Sequence, residues 1–318
     1  MLSEGFAQAS RILGFRPWYA EHRRDRALVL LRRIPLPVLA RLTTRAKVYV
    51  NHGDRAFIAE LTEALAAMNV SHVKFGDERH GVAGGASEWP RARSTPYHVF
   101  FVKVAGRSDR ALLAAMSDPV PRNIRKAERG GVVVTEIVSD AGMDLFGALM
   151  EETSIRMRSR QVAAVYPAAF FRTIFSTMVP RGQALFLLAC ADDVPLAAQM
   201  YLVAQDRLIY YHGASTRDRA HTPKQGPTAI FWHAMRLARD RGLPLFDMGA
   251  GTPTTDPANV HFSVTDFKRR WGGDHVTVPS MEMVLAPSKV LLQDRLLKPL
   301  WDRAHPLYLR IFRQDAAA

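Results

Sequence analysis

The chain has 318 residues, 48% of them apolar and 23% charged, a balance that supports a buried core and excludes a disordered or low-complexity chain. No run of about 18 apolar residues occurs, so no membrane-spanning helix is expected; the opening MLSEGFAQASRILGF lacks a secretory layout, and the single Cys190 forbids an internal disulfide, so a cytoplasmic setting is expected. Forty-three Lys and Arg against 30 Asp and Glu leave +13, which favours a polyanionic partner (nucleic acid, anionic lipid or a pyrophosphate) without choosing among them.

In chain order, residues 1–14 predict a short helix carrying Phe6, Ile12 and Leu13. Strands are expected over Arg26–Ile34 and Ala46–Val50, then a helix capped by Asp54 with Phe57, Ile58, Leu61, Leu65 and Met68 on one face. Val70–Phe75 alternates as a strand does, and the polar, Gly-rich stretch that follows is expected to be a mobile loop as far as Ala92. Tyr97–Val104 is a strong strand, and Leu112–Met116 lies on a helix. Pro121–Arg129 is a further helix closed by Gly130 and Gly131. Its Arg122, Arg125, Lys126 and Arg129 fall at i, i+3, i+4 and i+7, one cationic stripe that an anion would relieve, although a charge run alone is more often a solvated face.

A strand over Val132–Val138 ends the expected first domain, residues 1–138 with a helical return over 286–318; the second spans 139–285. There, helices are expected at Met143–Met157 and Pro167–Met178, then a three-strand meander, Ala184–Ala191, Pro195–Ala204 and Arg207–His212, turning on Asp192-Asp193 and Gln205-Asp206. A helix from Pro227 leads into the strand Leu243–Phe246, which ends in Asp247. A carboxylate there is costly unless hydrogen-bonded, so Asp247 has a task. Gly249 and Gly251 follow, and after a polar insert comes Phe267-Lys268-Arg269-Arg270-Trp271-Gly272-Gly273, a helix end presenting cations at a fixed place or answering its own dipole. Lys289–Arg313 repeats Leu near helical spacing, which suits packing better than a membrane surface.

Phosphate-loop, nucleophile-elbow and zinc-helix motifs are absent, and the histidines show no metal-ligand spacing, so no metal is expected. His212, in YYHGAS at a strand end, is a candidate base but more often such a histidine is structural; Cys190 sits in an apolar strand that keeps its thiol protonated. What the order of elements suits is acyl transfer from an activated donor to an amine, with proximity and fixed charge supplying the rate.

PRNIRKAERGG, YYHGAS, FDMG and FKRRWGG, in that order, resemble the signature of the Fem-type aminoacyl-tRNA-dependent peptidyltransferases, within the GNAT superfamily. The resemblance covers the chain from about Ala27 onward and implies an α/β (α+β) fold of two tandem GNAT-like domains, each a mixed, mostly antiparallel sheet flanked by helices. It implies an enzyme moving an amino acid from aminoacyl-tRNA to a lipid-linked or nucleotide-linked cell-wall precursor, without a cofactor, at the inner face of the membrane. Lys268 is then the cation near the donor's 3′ end or the oxyanion, with Asp247 orienting the amine or a neighbouring cation. Arg269 and Arg270 attract phosphate, Arg122, Arg125 and Lys126 hold a phosphate or brace a domain interface, and Tyr211, His212 and Trp271 complete the substrate contacts. Lys224, Gln225 and Gly226 open a helix where an anion binds, though the sequence is not the R/Q-x-x-G-x-G/A loop of acetyl-CoA enzymes. The alternatives are a GNAT N-acyltransferase drawing on acyl-CoA or acyl-carrier protein, and a non-catalytic RNA- or membrane-binding module.

Overall fold

The computed structural model describes residues 3–33, 44–51, 55–75, 92–159, 166–252, 254–259, 262–297 and 299–300. The expected mobile loop between Phe75 and Ala92, the Asp54 cap and the end of the C-terminal helical stretch lie outside the described residues. The chain divides into two compact units, one of Ser3–Leu13 with Tyr97–Val278, the other of Gly14–Pro96 with Pro279–Ala318. The boundary expected after residue 138 falls inside the first unit, because the strand beside it is tied to the meander that follows.

The smaller unit holds β1 (Arg16–His22), β2 (Asp25–Arg32), β3 (Arg45–Val50), α2 (Arg55–Ala67) and β4 (His72–Phe75). β1 is a strand the sequence reading missed: it pairs antiparallel with β2 from Arg16↔Leu31 to His22↔Asp25, and Arg23 adopts φ 55° in the two-residue turn. Its residues are all exposed or half-buried, so the apolar signal is weak. β3 runs antiparallel to β2 and parallel to β4, and Val29, Val48, Phe57, Ile58, Leu61 and Phe75 form the core beneath α2.

In the larger unit α1 (Glu4–Ile12) is capped by Ser3, whose hydroxyl accepts the Phe6 N–H at 3.2 Å. A Cβ on Gly5 would fall 2.5 Å from Thr177 Oγ1, so only glycine lets α1 press so closely on α6 (Ala168–Met178). β5 (Ala92–Lys103) leads to α3 (Asp109–Ala115), α4 (Val120–Arg129), β6 (Val133–Glu136) and α5 (Asp140–Ser159). The meander then forms as expected: β7 (Ala184–Ala191), β8 (Val194–Val203) and β9 (Arg207–Ser215) pair antiparallel, β6 pairs with β7, and Asp192 and Asp193 turn at φ 51° and 61°. β7 and β8 are almost continuously apolar because both faces are covered.

From β9 the chain crosses through α7 (Gly226–Asp240) to β10 (Leu245–Ala250), which lies parallel to β9 and antiparallel to β5. A parallel pair needs such a crossover, and the apolar face of α7, with Ile230, Phe231, Trp232 and Met235, covers the sheet. α8 (Phe262–Arg269) follows, then β11 (Asp274–Val284), whose second half from Pro279 belongs to the smaller unit together with α9 (Pro287–Leu292) and a π turn, Gln293–Leu297. β11 is the second strand missed from sequence; Pro279 within it breaks the usual pattern. Each unit is thus a mixed, mostly antiparallel sheet with flanking helices.

Candidate active site

The larger unit opens where its parallel pair separates. β9 and β10 pair only from Leu245↔Arg207 to Asp247↔Ile209, yet β9 continues to Ser215 and β10 to Ala250. Beyond Asp247 the register with β5 also shifts, and Gly249 takes φ 78°, a conformation that a side chain strains. A Cβ at Gly249 would stand 3.4 Å from the Tyr210 carbonyl oxygen and 3.8 Å from Lys268 Nζ. Those are ordinary contact distances, so it is the backbone conformation, not lack of space, that calls for glycine at this bend.

Lys268 reaches this point from α8. It is only 6% exposed, and its Nζ donates to the Ala250 carbonyl at 2.5 Å. Burying an ammonium is expensive unless it is hydrogen-bonded, and a low local dielectric strengthens its pull on any charge forming nearby. Thr265 Oγ1 donates to the Thr252 carbonyl at 2.6 Å, while Phe267 and Trp271 pack on Phe231, so α8 is held from two sides. Gly272, at φ 69°, ends the segment where a Cβ would lie 2.3 Å from the Ala115 carbonyl oxygen.

Asp247 is wholly buried at the same strand end. Its Oδ1 accepts the Gly249 N–H at 2.7 Å, and its Oδ2 lies 3.7 Å from Arg207 Nη1; Arg207 also holds Asp206 at 2.6 and 2.9 Å. Asp247 thus fixes the bend at Gly249 and through it the carbonyl that Lys268 grips. The structure brings together the two residues that the sequence reading paired, with Asp247 as a positioning residue.

A cavity of about 200 Å³ lies at the start of α7, lined by Ser215, Thr216, Arg217, His221, Gln225, Gly226, Thr228 and Phe267 among others. Gln225 at φ 63° turns the chain into the helix without a side-chain cap, so its first N–H groups face outward, a setting that favours an anion. Gly226 is needed because a Cβ there would stand 2.6 Å from Leu196 Cβ. Lys224, expected beside them, instead binds Asp192 at 2.5 Å across the β7–β8 turn, since that carboxylate lies within reach of its long stem. Arg217 and His221 were missed: the polar loop carrying them has no periodicity to mark which side chains turn inward.

Tyr211 and His212 lie on β9 beyond the separation. The His212 ring packs against Tyr166, Tyr211 and Phe171 at centroid distances of 4.4, 5.0 and 5.4 Å, and burial pushes its pKa down to about 4. His212 is therefore neutral at pH 7, a hydrogen-bonding group and not a charged one. Because the unfolded chain binds its proton near 6.5 and the folded chain only near 4, this residue makes stability fall as pH drops through that window. His212→Phe should flatten the fall between pH 6.5 and 4 in thermal unfolding; an unchanged slope would refute the assignment.

The remaining candidates separate by burial. Trp271, expected to touch substrate, is fully buried against Phe231 and Phe267, so packing accounts for it. Arg270 is spent on structure, donating to Asp266 and to the Asp118 carbonyl, both at 2.8 Å. Arg269 donates to the Thr254 carbonyl at 3.0 Å. Arg122, Arg125 and Lys126 are exposed on α4, outside the cleft. Burial raises the Cys190 thiol, as expected of an apolar strand. Among the described residues no group of three or more His, Cys, Asp or Glu is placed to hold a metal ion.

A strand pair that separates beyond a crossover helix is the geometry in which residues 119–269 match the family model described as acetyltransferase (GNAT) domain. The crystal structure of FemX has the same fold, with TM-score 0.67, 14% identity, and 94% of this chain and 92% of that one covered. L-PGS from Bacillus licheniformis superposes with TM-score 0.58 and 12% identity over 91% of each chain. The C-terminal domain of a candidate lysylphosphatidylglycerol synthetase from Agrobacterium fabrum gives 0.59 and 12% over 91% and 89%. No curated protein sequence matches. The resemblance to Fem-type GNAT proteins drawn from the sequence thus holds at the level of fold, and the residues matched by the family model carry every element of the cleft: β9, the start of α7, β10 and α8. No described helix is long and apolar enough to cross a membrane.

Proposed function

We propose that this protein is an acyltransferase that moves an amino acid from the 3′ ester of aminoacyl-tRNA to an amine on a cell-wall or lipid-linked acceptor. The observation that carries the reading is the buried ammonium of Lys268 held at the open end of the β9–β10 cleft. In the reaction the amine nitrogen attacks the ester carbonyl carbon, and negative charge collects on the carbonyl oxygen. The C–O bond to the ribose then breaks, and the proton lost by the amine ends on the departing hydroxyl. Such a step needs a fixed positive charge beside the oxygen and close placement of the reactants, more than a reactive side chain. The uncapped helix start at Gly226, with Arg217, is suited to the donor's phosphate. The names of the neighbours, FemX and lysylphosphatidylglycerol synthetase, agree with aminoacyl transfer, and the acceptor is proposed by that analogy.

A second reading, acyl transfer from an acyl-CoA, is favoured by the same helix start, since a pyrophosphate fits it equally well. Purified protein given charged tRNA and candidate amines should discharge the ester and yield a product heavier by one aminoacyl group in mass spectrometry. Saturable thermal stabilisation by coenzyme A, with no discharge of any aminoacyl-tRNA, would replace the first reading by the second.

A further inference from the structure

α4 is built against the usual rules for a helix. Its cap position, Pro119, makes no side-chain hydrogen bond, no acidic residue lies in its first turn, and Arg122 and Arg125 stand near its positive dipole end. Arg122, Arg125, Lys126 and Arg129 are all exposed along one stripe, while Ile124 and Ala127 are buried on the other side. Arg107, Arg172, Arg239, Arg241 and Arg270 all find carboxylates or carbonyls in this unit. Among the described residues no carboxylate lies within ion-pair distance of Arg122, Arg125 or Lys126. Like charges left facing one another at these spacings oppose helix formation, and the opposition ends when a string of negative charges lies alongside.

The stripe also has a fixed relation to the cleft. The Arg270 guanidinium donates to the Asp118 carbonyl at 2.8 Å and the Ser117 N–H donates to the Arg270 carbonyl at 3.0 Å, so the end of α8 is pinned to the start of α4. α4 then packs along α7, with Ile124 and Ala127 beside Ala229 and Trp232. α4 is thus fixed in the same packed unit as the cavity, with its cations turned outward. Successive phosphates along a nucleic-acid strand are spaced on the scale of one helical turn, so several can be met at once.

We propose that the exposed face of α4 is a docking surface for the phosphate backbone of RNA, with Arg122, Arg125 and Lys126 as its contacts; the identification of that RNA as the body of the donor rests on the function proposed above. The test is fluorescence anisotropy of labelled bulk tRNA with the full chain between about 50 and 200 mM salt. The variant Arg122→Ala/Arg125→Ala/Lys126→Ala should bind at least tenfold more weakly and lower the salt slope by roughly 2–3, one counterion release per lost contact. Arg122→Lys/Arg125→Lys, which keeps the charge, should bind as the parent does, and alanine at exposed helix positions should leave the melting temperature in place. If the alanine variant binds tRNA with the parental affinity and slope, the surface is wrong. If it keeps tRNA but loses binding to vesicles of phosphatidylglycerol and phosphatidylcholine, the surface serves lipid and the proposal is overturned. If tRNA binding falls as expected while the parent discharges no aminoacyl-tRNA, the RNA surface stands and the donor reading falls.

Discussion

Lys268→Met is expected to slow acyl transfer at saturating donor by roughly 10²–10³-fold, the cost of removing one fixed donor of positive charge from a developing oxyanion. Methionine keeps most of the stem's volume, and the stem is buried with Thr265 and Trp271 on one side of α8, so packing survives. The Ala250 carbonyl loses its partner, a loss of about 1–3 kcal/mol, much less than unfolds the protein. The informative pattern is a low single-turnover rate with donor binding and melting temperature little changed. A variant that transfers at the parental rate would show that the ammonium only ties α8 to β10.

Asp247→Ala is expected to have the largest effect on stability. The change strips the carboxylate from a fully buried site, leaves the Gly249 N–H without its 2.7 Å acceptor and removes one partner of the buried Arg207 guanidinium. Breaking a buried pair from one side costs about 3–5 kcal/mol, and because Arg207 keeps Asp206 the lower end applies here. For a unit of this size that corresponds to a fall of roughly 6–12 °C in melting temperature. Asp247→Asn retains an acceptor for Gly249 and should lose about half as much. If alanine cost less than about 1 kcal/mol, Asp206 alone would suffice for Arg207 and the bend at Gly249 would need another cause.

The cleft was legible in the sequence where physical chemistry leaves little choice. A carboxylate ending an apolar strand required a partner, two glycines marked a close approach, and an aspartate pair marked the β7–β8 turn. Lys268, Arg269 and Arg270 look alike as letters, but only Lys268, one turn on from the buried Thr265, is itself buried. That phase, i and i+3, also carries Trp271 inward, which makes it a core residue and not a substrate contact. What sequence could not supply were the tertiary partners: Asp192 for Lys224, Asp118 for Arg270, Arg207 for Asp247. β1 and β11 were missed for a different reason, since one carries charge on an open face and the other contains a proline.

The path of the chain has a consequence for synthesis. Helix α1 belongs to the larger unit, but the next 83 residues, Gly14–Pro96, belong to the smaller one, and Pro279 returns to it. Neither unit can be cut out as one continuous fragment, and on the ribosome α1 emerges long before α6, the helix whose Thr177 it needs, exists. The smaller unit in turn waits for the second half of β11. The smaller unit therefore closes only when nearly the whole polypeptide has been made, and in a nascent chain stalled before Pro279 the smaller unit should be digested by protease while the larger one, complete at Val278, resists.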